Sequence, residues 1–192
     1  MKKIVILDNG HGDNTPGKRS PVWSDGKQLF EYEFNRDIVR RITEQLDAAG
    51  IEYRVLVPEL TDISLGERCR RVNEIYAQTG GNCFLLSIHA NAGGGTGWES
   101  HIYTEKSKSK DYAIILGKEA EKEFAPDWKI RKPMPNQPYW ISNFQILRQT
   151  KCPAVLTENF FMDNERDCRF IMSETGRERV ANMHVAAIKQ II

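Results

Sequence analysis

No stretch of this chain approaches the roughly 18 consecutive apolar residues of a membrane-spanning helix. A secretory leader is not expected either, because in "MKKIVILDNG" two lysines are followed by only four apolar residues before Asp8. That is short of the ~7–15 residues of an apolar leader core, so the segment reads as a first strand. Charge of either sign is not in excess: 27 lysines and arginines against 26 acids leave +1. Such a balance argues against nucleic acid and anionic membranes as partners and suits a neutral or mixed-charge substrate. Cysteine is sparse. Cys69, Cys83, Cys152 and Cys168 form no Cys-x-x-Cys pair, so free buried thiols are expected rather than a disulfide framework or a cysteine zinc knot. Internal repeats and low-complexity segments are lacking as well. Of the eight prolines, four fall in "PDWKIRKPMPNQPYW", which excludes helix and central strand there and leaves a loop.

What remains is a 192-residue chain with 40% apolar content, enough for one well-buried domain over residues 1–192. "KKIVIL" is a β-branched run closed by a glycine turn, suited to a buried parallel strand. Phe30, Phe34, Ile38, Ile42 and Leu46 recur every fourth residue up to Gly50, which predicts an amphipathic helix with a glycine at its end. "IEYRVLV" follows as a strand, and "SLGE" at Ser64 to Glu67 has the spacing of a capping box opening a helix to about Gln78. "CFLLSIHA" reads as a central strand and "GWESHIYT" as another. Residues 108 to 124 read as a helix, "PAVLTE" as a late strand and residues 174 to 192 as a terminal helix with Val180, Met183, Ala187, Ile188 and Ile191 inward. Strands alternating with helices predict an α/β fold, a three-layer α/β/α arrangement around a mostly parallel sheet of about six strands.

Open parallel sheets bind ligands beyond the carboxyl ends of their strands. His11 follows the first strand, His89 closes "FLLSIHA", Glu158 closes "PAVLTE", and Glu31 lies in the first turn of the first long helix. Four distant segments thus bring two imidazoles and two carboxylates to one rim. Two histidines and a carboxylate with an open fourth position are a standard catalytic zinc set, with a further carboxylate free to act as base. The glycines flanking His11 fit a tight turn and close packing around a metal, and Asp8, Asn9 and Asn14 offer acceptors that could orient an imidazole. Taken singly, a histidine at a strand end more commonly has a structural role, and Glu31 is as well explained by the helix macrodipole. Glu158 directly after "PAVL" is harder to dismiss, because a part-buried carboxylate needs a partner.

Other residues are more equivocal. His184, on the edge of the terminal apolar stripe, reads as structural. His101 shares a strand face with Glu99 and Tyr103, a face that borders the cleft or meets water. "EKSKSK" reads as a solvated helix entry. Trp128, Tyr139 and Trp140 in the proline loop are expected to be exposed, either as plain surface or as a rim of the cleft, since aromatics line sugar and peptide grooves.

Taken in order, "DNGHG", "EYEFN", "SIHANA" and "PAVLTENFFMDN" resemble the ordered motifs of the zinc-dependent N-acetylmuramoyl-L-alanine amidases of the amidase-3 family. "LGERCRRVN" and "ILRQTKCP" resemble two further family segments. The resemblance runs nearly end to end and implies that His11, Glu31 and His89 hold Zn2+ and that Glu158 is the catalytic acid/base. It implies a substrate of peptidoglycan, cut between N-acetylmuramic acid and L-alanine at the bacterial cell envelope, in the periplasm or outside the cell. Asn91, Glu99, His101 and Trp140 are the candidate substrate-binding residues. Asn9 departs from the family's proline, and Asn159-Phe160 stand where a small apolar residue and glycine are usual. A monomer is expected, as a single catalytic domain without a separate wall-binding module.

Two other enzyme readings and one non-enzyme reading stand beside this one. A zinc peptidase acting within the stem peptide would use the same metal set. A non-catalytic peptidoglycan-binding domain would have no use for Glu158. A cysteine hydrolase would need a thiol beside a histidine on the same rim, and Cys83 begins its strand at the end opposite His89.

Overall fold

The structure is a computed structural model and describes residues 3–192; Met1 and Lys2, at the head of the predicted first strand, lie outside the described residues. Among these, six strands form one sheet in the order β2-β1-β3-β6-β4-β5: β1 (Ile4–Asn9), β2 (Tyr53–Val55), β3 (Cys83–Asn91), β4 (Trp98–Ile102), β5 (Trp140–Ile141) and β6 (Ala154–Phe161). β2, β1, β3 and β6 run parallel, β4 is antiparallel to β6, and β5 pairs parallel with β4. The sheet is mostly parallel, as the alternation of elements predicts.

Side chains alternate across the sheet and build two cores. Val5, Leu7, Phe84, Leu86, Ile88 and Val155 face one apolar layer, completed by α1 (Glu31–Ala48), α3 (Ser109–Phe124), α5 (Glu165–Met172) and α6 (Glu174–Ile191). Ile4, Ile6, Leu85, Ala154 and Leu156 face the other, which α2 (Leu65–Gln78) and the short α4 (Gln145–Arg148) cover. This is the three-layer α/β/α arrangement, with apolar residues on both faces of the central strands because both faces are covered. Four of the five residues of the predicted α1 stripe, Phe34, Ile38, Ile42 and Leu46, are completely buried, while Phe30 stands at the N-cap and is only half-buried. Gly50 takes φ 64° just after the helix, where a left-handed residue ends it. Among the described residues, no helix is long and apolar enough to cross a membrane.

Several local expectations change. "IEYRVLV" pairs only over Tyr53–Val55, at the sheet edge. The Ser64 hydroxyl accepts from Glu67 N at 3.3 Å, but the Glu67 carboxylate turns to Arg70 and Arg71 instead of closing a reciprocal box. A separate helix, α5, precedes the terminal one; the Asn164 side chain accepts from Asp167 N at 3.2 Å and starts it. The proline loop supplies the two-residue strand β5 at the sheet edge, where a loop was expected. Tyr139 is buried rather than exposed, its hydroxyl bonded to Glu105. Trp128 is partly buried against Phe160 and Phe170. All four cysteines are buried and free.

Candidate metal centre

The parity that builds the two cores also places the site. His89 and Glu158 are register partners in β3 and β6, and Glu99 in β4 is the partner of Glu158. All three continue the row of Leu85, Ala154 and Leu156, on the face that α2 and α4 cover lower down. Thr157 and Asn159 point the other way: Thr157 Oγ1 lies 3.0 Å from Nε2 of His184 in α6. That contact, with His184 Nδ1 2.7 Å from Val180 O, gives His184 the structural role expected of it. Complete burial drives its pKa down to about 4.

His11 stands at φ 66°, a left-handed conformation for a side-chain-bearing residue, which costs roughly 1–2 kcal/mol and must be offset. Arginines supply the offset. The His11 carbonyl accepts from Arg36 Nη1 at 2.9 Å and from Arg68 Nη2 at 3.3 Å, and the Asn35 amide donates to Gly10 O at 2.9 Å. Arg68 is itself buried, bonded to Asp8 Oδ1 at 2.5 Å and to Asp62 Oδ1 at 2.8 Å. Ser87 Oγ closes the network on Asp8 Oδ2 at 2.6 Å. Asp8 and Asn14 therefore do not orient an imidazole as expected. Asp8 holds Arg68, Asn14 accepts from Asp62 N, and Asn9 Oδ1 is buried without a partner.

Glu31 opens α1 at the same edge. Its Oε1 lies 3.0 Å from His89 Nδ1, 3.4 Å from His11 Nε2 and 3.3 Å from the donating Ala90 N. Burial pushes this carboxyl up, but contacts with His11 and His89 outweigh it and hold Glu31 below the ordinary carboxylate range. Burial likewise opposes charge on His89, yet Glu31 prevails and its pKa is raised. One ligand atom from each of His11, Glu31 and His89 lies within 4.8 Å of the others, and Glu31 Oε2 is sealed from solvent with no partner. Two imidazole nitrogens and a carboxylate oxygen are a donor set suited to Zn2+, and the orphaned oxygen is an acceptor that a cation would satisfy. These residues fit such an ion.

Glu158 stands outside the trio. Its Oε2 is buried and unpartnered. Burial pushes its pKa up to about 7; His89 draws it down, and the negative charges of Glu31 and Glu99 add to the rise. A carboxyl poised near neutrality is equipped to take up and release a proton. A cavity of about 240 Å³, lined among others by Gly10, His11, Thr15, Ile63, Arg68 and His89, opens beside the trio toward α2.

The candidate substrate residues divide. Asn91 Nδ2 donates to Glu99 Oε1 at 2.7 Å, and His101 Nε2 lies 3.4 Å from the same oxygen. Both Glu99 and His101 are buried, so their strand face borders the site and does not meet bulk water. Burial works against the Glu99 charge, but His101 and Arg131 hold its pKa down at about 2. Trp140 is partly buried one strand farther out, paired with His101, its indole nitrogen enclosed and unpartnered. Arg68, Arg36 and Arg131 were not singled out from sequence; for Arg68 the signal was the arginine within "LGERCRRVN".

The departure at Asn159-Phe160 has a structural reading. The register shifts between His89–Glu158 and Asn91–Phe161, so two residues oppose Ala90 in a bulge. Phe160 sits there at φ 67°, and its ring packs edge-on against Phe124, Trp128 and Phe170. Asn159 accepts from Trp98 Nε1 at 3.0 Å and donates to His89 O at 2.9 Å, tying the bulge to the backbone of a candidate ligand.

Comparison with known proteins agrees with this geometry. Residues 5–190 match the profile of the family described as N-acetylmuramoyl-L-alanine amidase. The sporulation-specific N-acetylmuramoyl-L-alanine amidase of Bacillus subtilis is 29% identical over 97% of this chain and 67% of its own length. The N-acetylmuramoyl-L-alanine amidase CwlM of Bacillus licheniformis is 30% identical over 94% of this chain and 65% of its own. The chain thus spans about two thirds of these relatives. In three dimensions it superposes on the crystal structure of an N-acetylmuramoyl-L-alanine amidase from Clostridium difficile with a TM-score of 0.82, at 24% identity, covering 98% of this chain and 96% of the other. With the profile spanning nearly its whole length, the chain belongs to the amidase-3 family of N-acetylmuramoyl-L-alanine amidases.

Proposed function

We propose that this chain is one catalytic domain, acting as a monomer, that hydrolyses the amide between the lactyl group of N-acetylmuramic acid and L-alanine in peptidoglycan, and that it does so at the bacterial cell envelope. The observation that carries the reading is the juxtaposition of the trio His11, Glu31 and His89 with an unpartnered Glu158 facing His89 in register.

His11, Glu31 and His89 would hold Zn2+, which when bound supplies Lewis acidity and makes hydroxide available near neutral pH. The remaining work falls to the chain. Glu158 accepts the proton of the attacking water as the new bond to the carbonyl carbon forms. It then delivers that proton to the alanine nitrogen as the carbon–nitrogen bond breaks, leaving a lactyl carboxylate and a free amine. Its pKa near 7 suits both halves of the exchange. Arg36, Arg68 and Asn35 hold the backbone of Gly10 and His11 in place, so the His11 imidazole needs no reorganisation when substrate binds.

Mass spectrometry of digested peptidoglycan tests the reading. Free L-alanine amino termini on intact glycan strands are the expected products. New reducing ends would mark a glycosidase, and new termini on a later stem residue would mark the peptidase.

A further inference from the structure

Two strands from His89, with β6 between, Glu99 on β4 organises a second polar cluster. Its Oε1 accepts from Asn91 Nδ2 at 2.7 Å with His101 Nε2 at 3.4 Å, and its Oε2 accepts from Arg131 Nε at 2.6 Å. Both oxygens are occupied and the residue is 6% exposed, so Glu99 is a holder of other groups. What it holds is Arg131. The Arg131 backbone donates to Trp98 O at 2.8 Å, and its guanidinium lies 5.0 Å from the centre of the Phe161 ring. Its side chain keeps 29% of its exposure. Among the described residues, Nη1 and Nη2 have no hydrogen-bond partner. A guanidinium fixed at Nε and seated on an aromatic face, with its two terminal nitrogens unengaged, is prepared for a planar anion.

Position narrows the anion. Glu99 is the register partner of Glu158, and neighbouring strands lie about 4.8 Å apart, which places the guanidinium within roughly 10 Å of the Glu158 carboxyl. In a stem peptide whose second residue is linked through its side-chain carboxyl, the α-carboxyl group of that residue lies roughly 6 Å from the scissile nitrogen. That group is either a carboxylate or a carboxamide. Arginine offers only donors: a carboxylate accepts two of them, whereas a carboxamide presents one acceptor and turns its own donors toward the guanidinium.

We propose that Arg131, positioned by Glu99, binds the free α-carboxylate of the second stem residue and makes the enzyme selective for acidic over amidated stems. This subsite rests on the amidase reading above.

The test uses the zinc-loaded full chain and two synthetic muramoyl peptides that differ only in carboxylate or carboxamide at that position. Wild type should show kcat/KM at least about tenfold higher on the carboxylate peptide. Arg131→Gln should lose about 10- to 100-fold on that peptide, mainly through KM, and less than about threefold on the carboxamide, as expected for hydrogen bonds to a charged group. Arg131→Lys, which keeps the charge without the fork, should fall between. Should Arg131→Gln fail to fold, the wild-type ratio and Arg131→Lys decide. Equal wild-type rates on the two peptides, or an equal loss on both in Arg131→Gln, would overturn the subsite and leave the amidase reading standing. Failure of wild type to cut the muramoyl–alanine bond in either peptide refutes the amidase reading and the subsite with it.

Discussion

A Cβ added to Gly10 would fall 2.0 Å from Cε1 of His89. The imidazole occupies the space a side chain would take, so this glycine is required by close approach of the His89 ring from the neighbouring strand. Gly10→Ala should fold, because the clash is with one ring at the sheet's end, but displace that ring. Zinc affinity, read by competition with a chelator, should fall by about 10- to 100-fold, the range for losing support to a ligand. Unchanged affinity would show that His89 is not a ligand.

The Asp8–Arg68 pair is buried, each side chain 2% exposed. Arg68→Ala should lower the unfolding free energy by about 3–5 kcal/mol, because it leaves a buried carboxylate unpaired. Asp8→Leu with Arg68→Met should recover much of that loss in urea unfolding, yet not the activity, since the His11 carbonyl would still lack Arg68. Equal stability of the single and double variants would contradict this.

Phe160 combines a left-handed φ of 67° with a place in an aromatic cluster. Truncation to alanine should cost about 3–5 kcal/mol in lost packing. Glycine at the same position should be the more stable of the two by about 1 kcal/mol, reversing the usual order, because it alone carries no penalty at positive φ. Denaturant unfolding of both variants decides.

The Glu158 carboxyl sits at about 7 in the fold against an ordinary value near 4.5. Its folded pKa is raised, so the unfolded chain ionises first as pH rises. Metal-free protein should therefore lose stability from this group between about pH 4.5 and 7 and no further above 7. Glu158→Gln removes the effect. Its stability advantage over wild type should grow across that window by roughly 3 kcal/mol and then level off. A constant difference from pH 4 to 8 would contradict the raised pKa.

Much of this was legible in sequence for physical reasons that can be named. Apolar runs such as "CFLLSI" and the every-fourth-residue stripe of α1 declare buried strand and amphipathic helix directly, and the strand-end rule then brings His11, His89, Glu158 and Glu31 to one edge. Long-range polar pairing was not legible. Arg68 with Asp8, Arg131 with Glu99 and Asn159 with Trp98 join residues from 32 to 61 positions apart, and no periodicity encodes such pairs. α5 was missed because its eight residues are too few for a stripe, although Asn164 with Asp167 three residues on is a readable cap. Tyr139 was expected at the surface because prolines surround it. Its ring is nonetheless buried, since a loop without regular structure can still turn one side chain into the core.

The central claim is a division of labour between two glutamates, and the most direct test measures zinc per chain and turnover side by side in Glu158→Gln and Glu31→Gln. Glutamine at 158 keeps size and hydrogen bonding but accepts no proton. Glu158→Gln should fold and hold zinc as wild type does while turnover falls by the ~10²–10⁴-fold typical of a lost general base. Glu31→Gln should lose zinc and turnover together. A Glu158→Gln variant that turns over near the wild-type rate, or that loses zinc as Glu31→Gln does, would contradict the assignment.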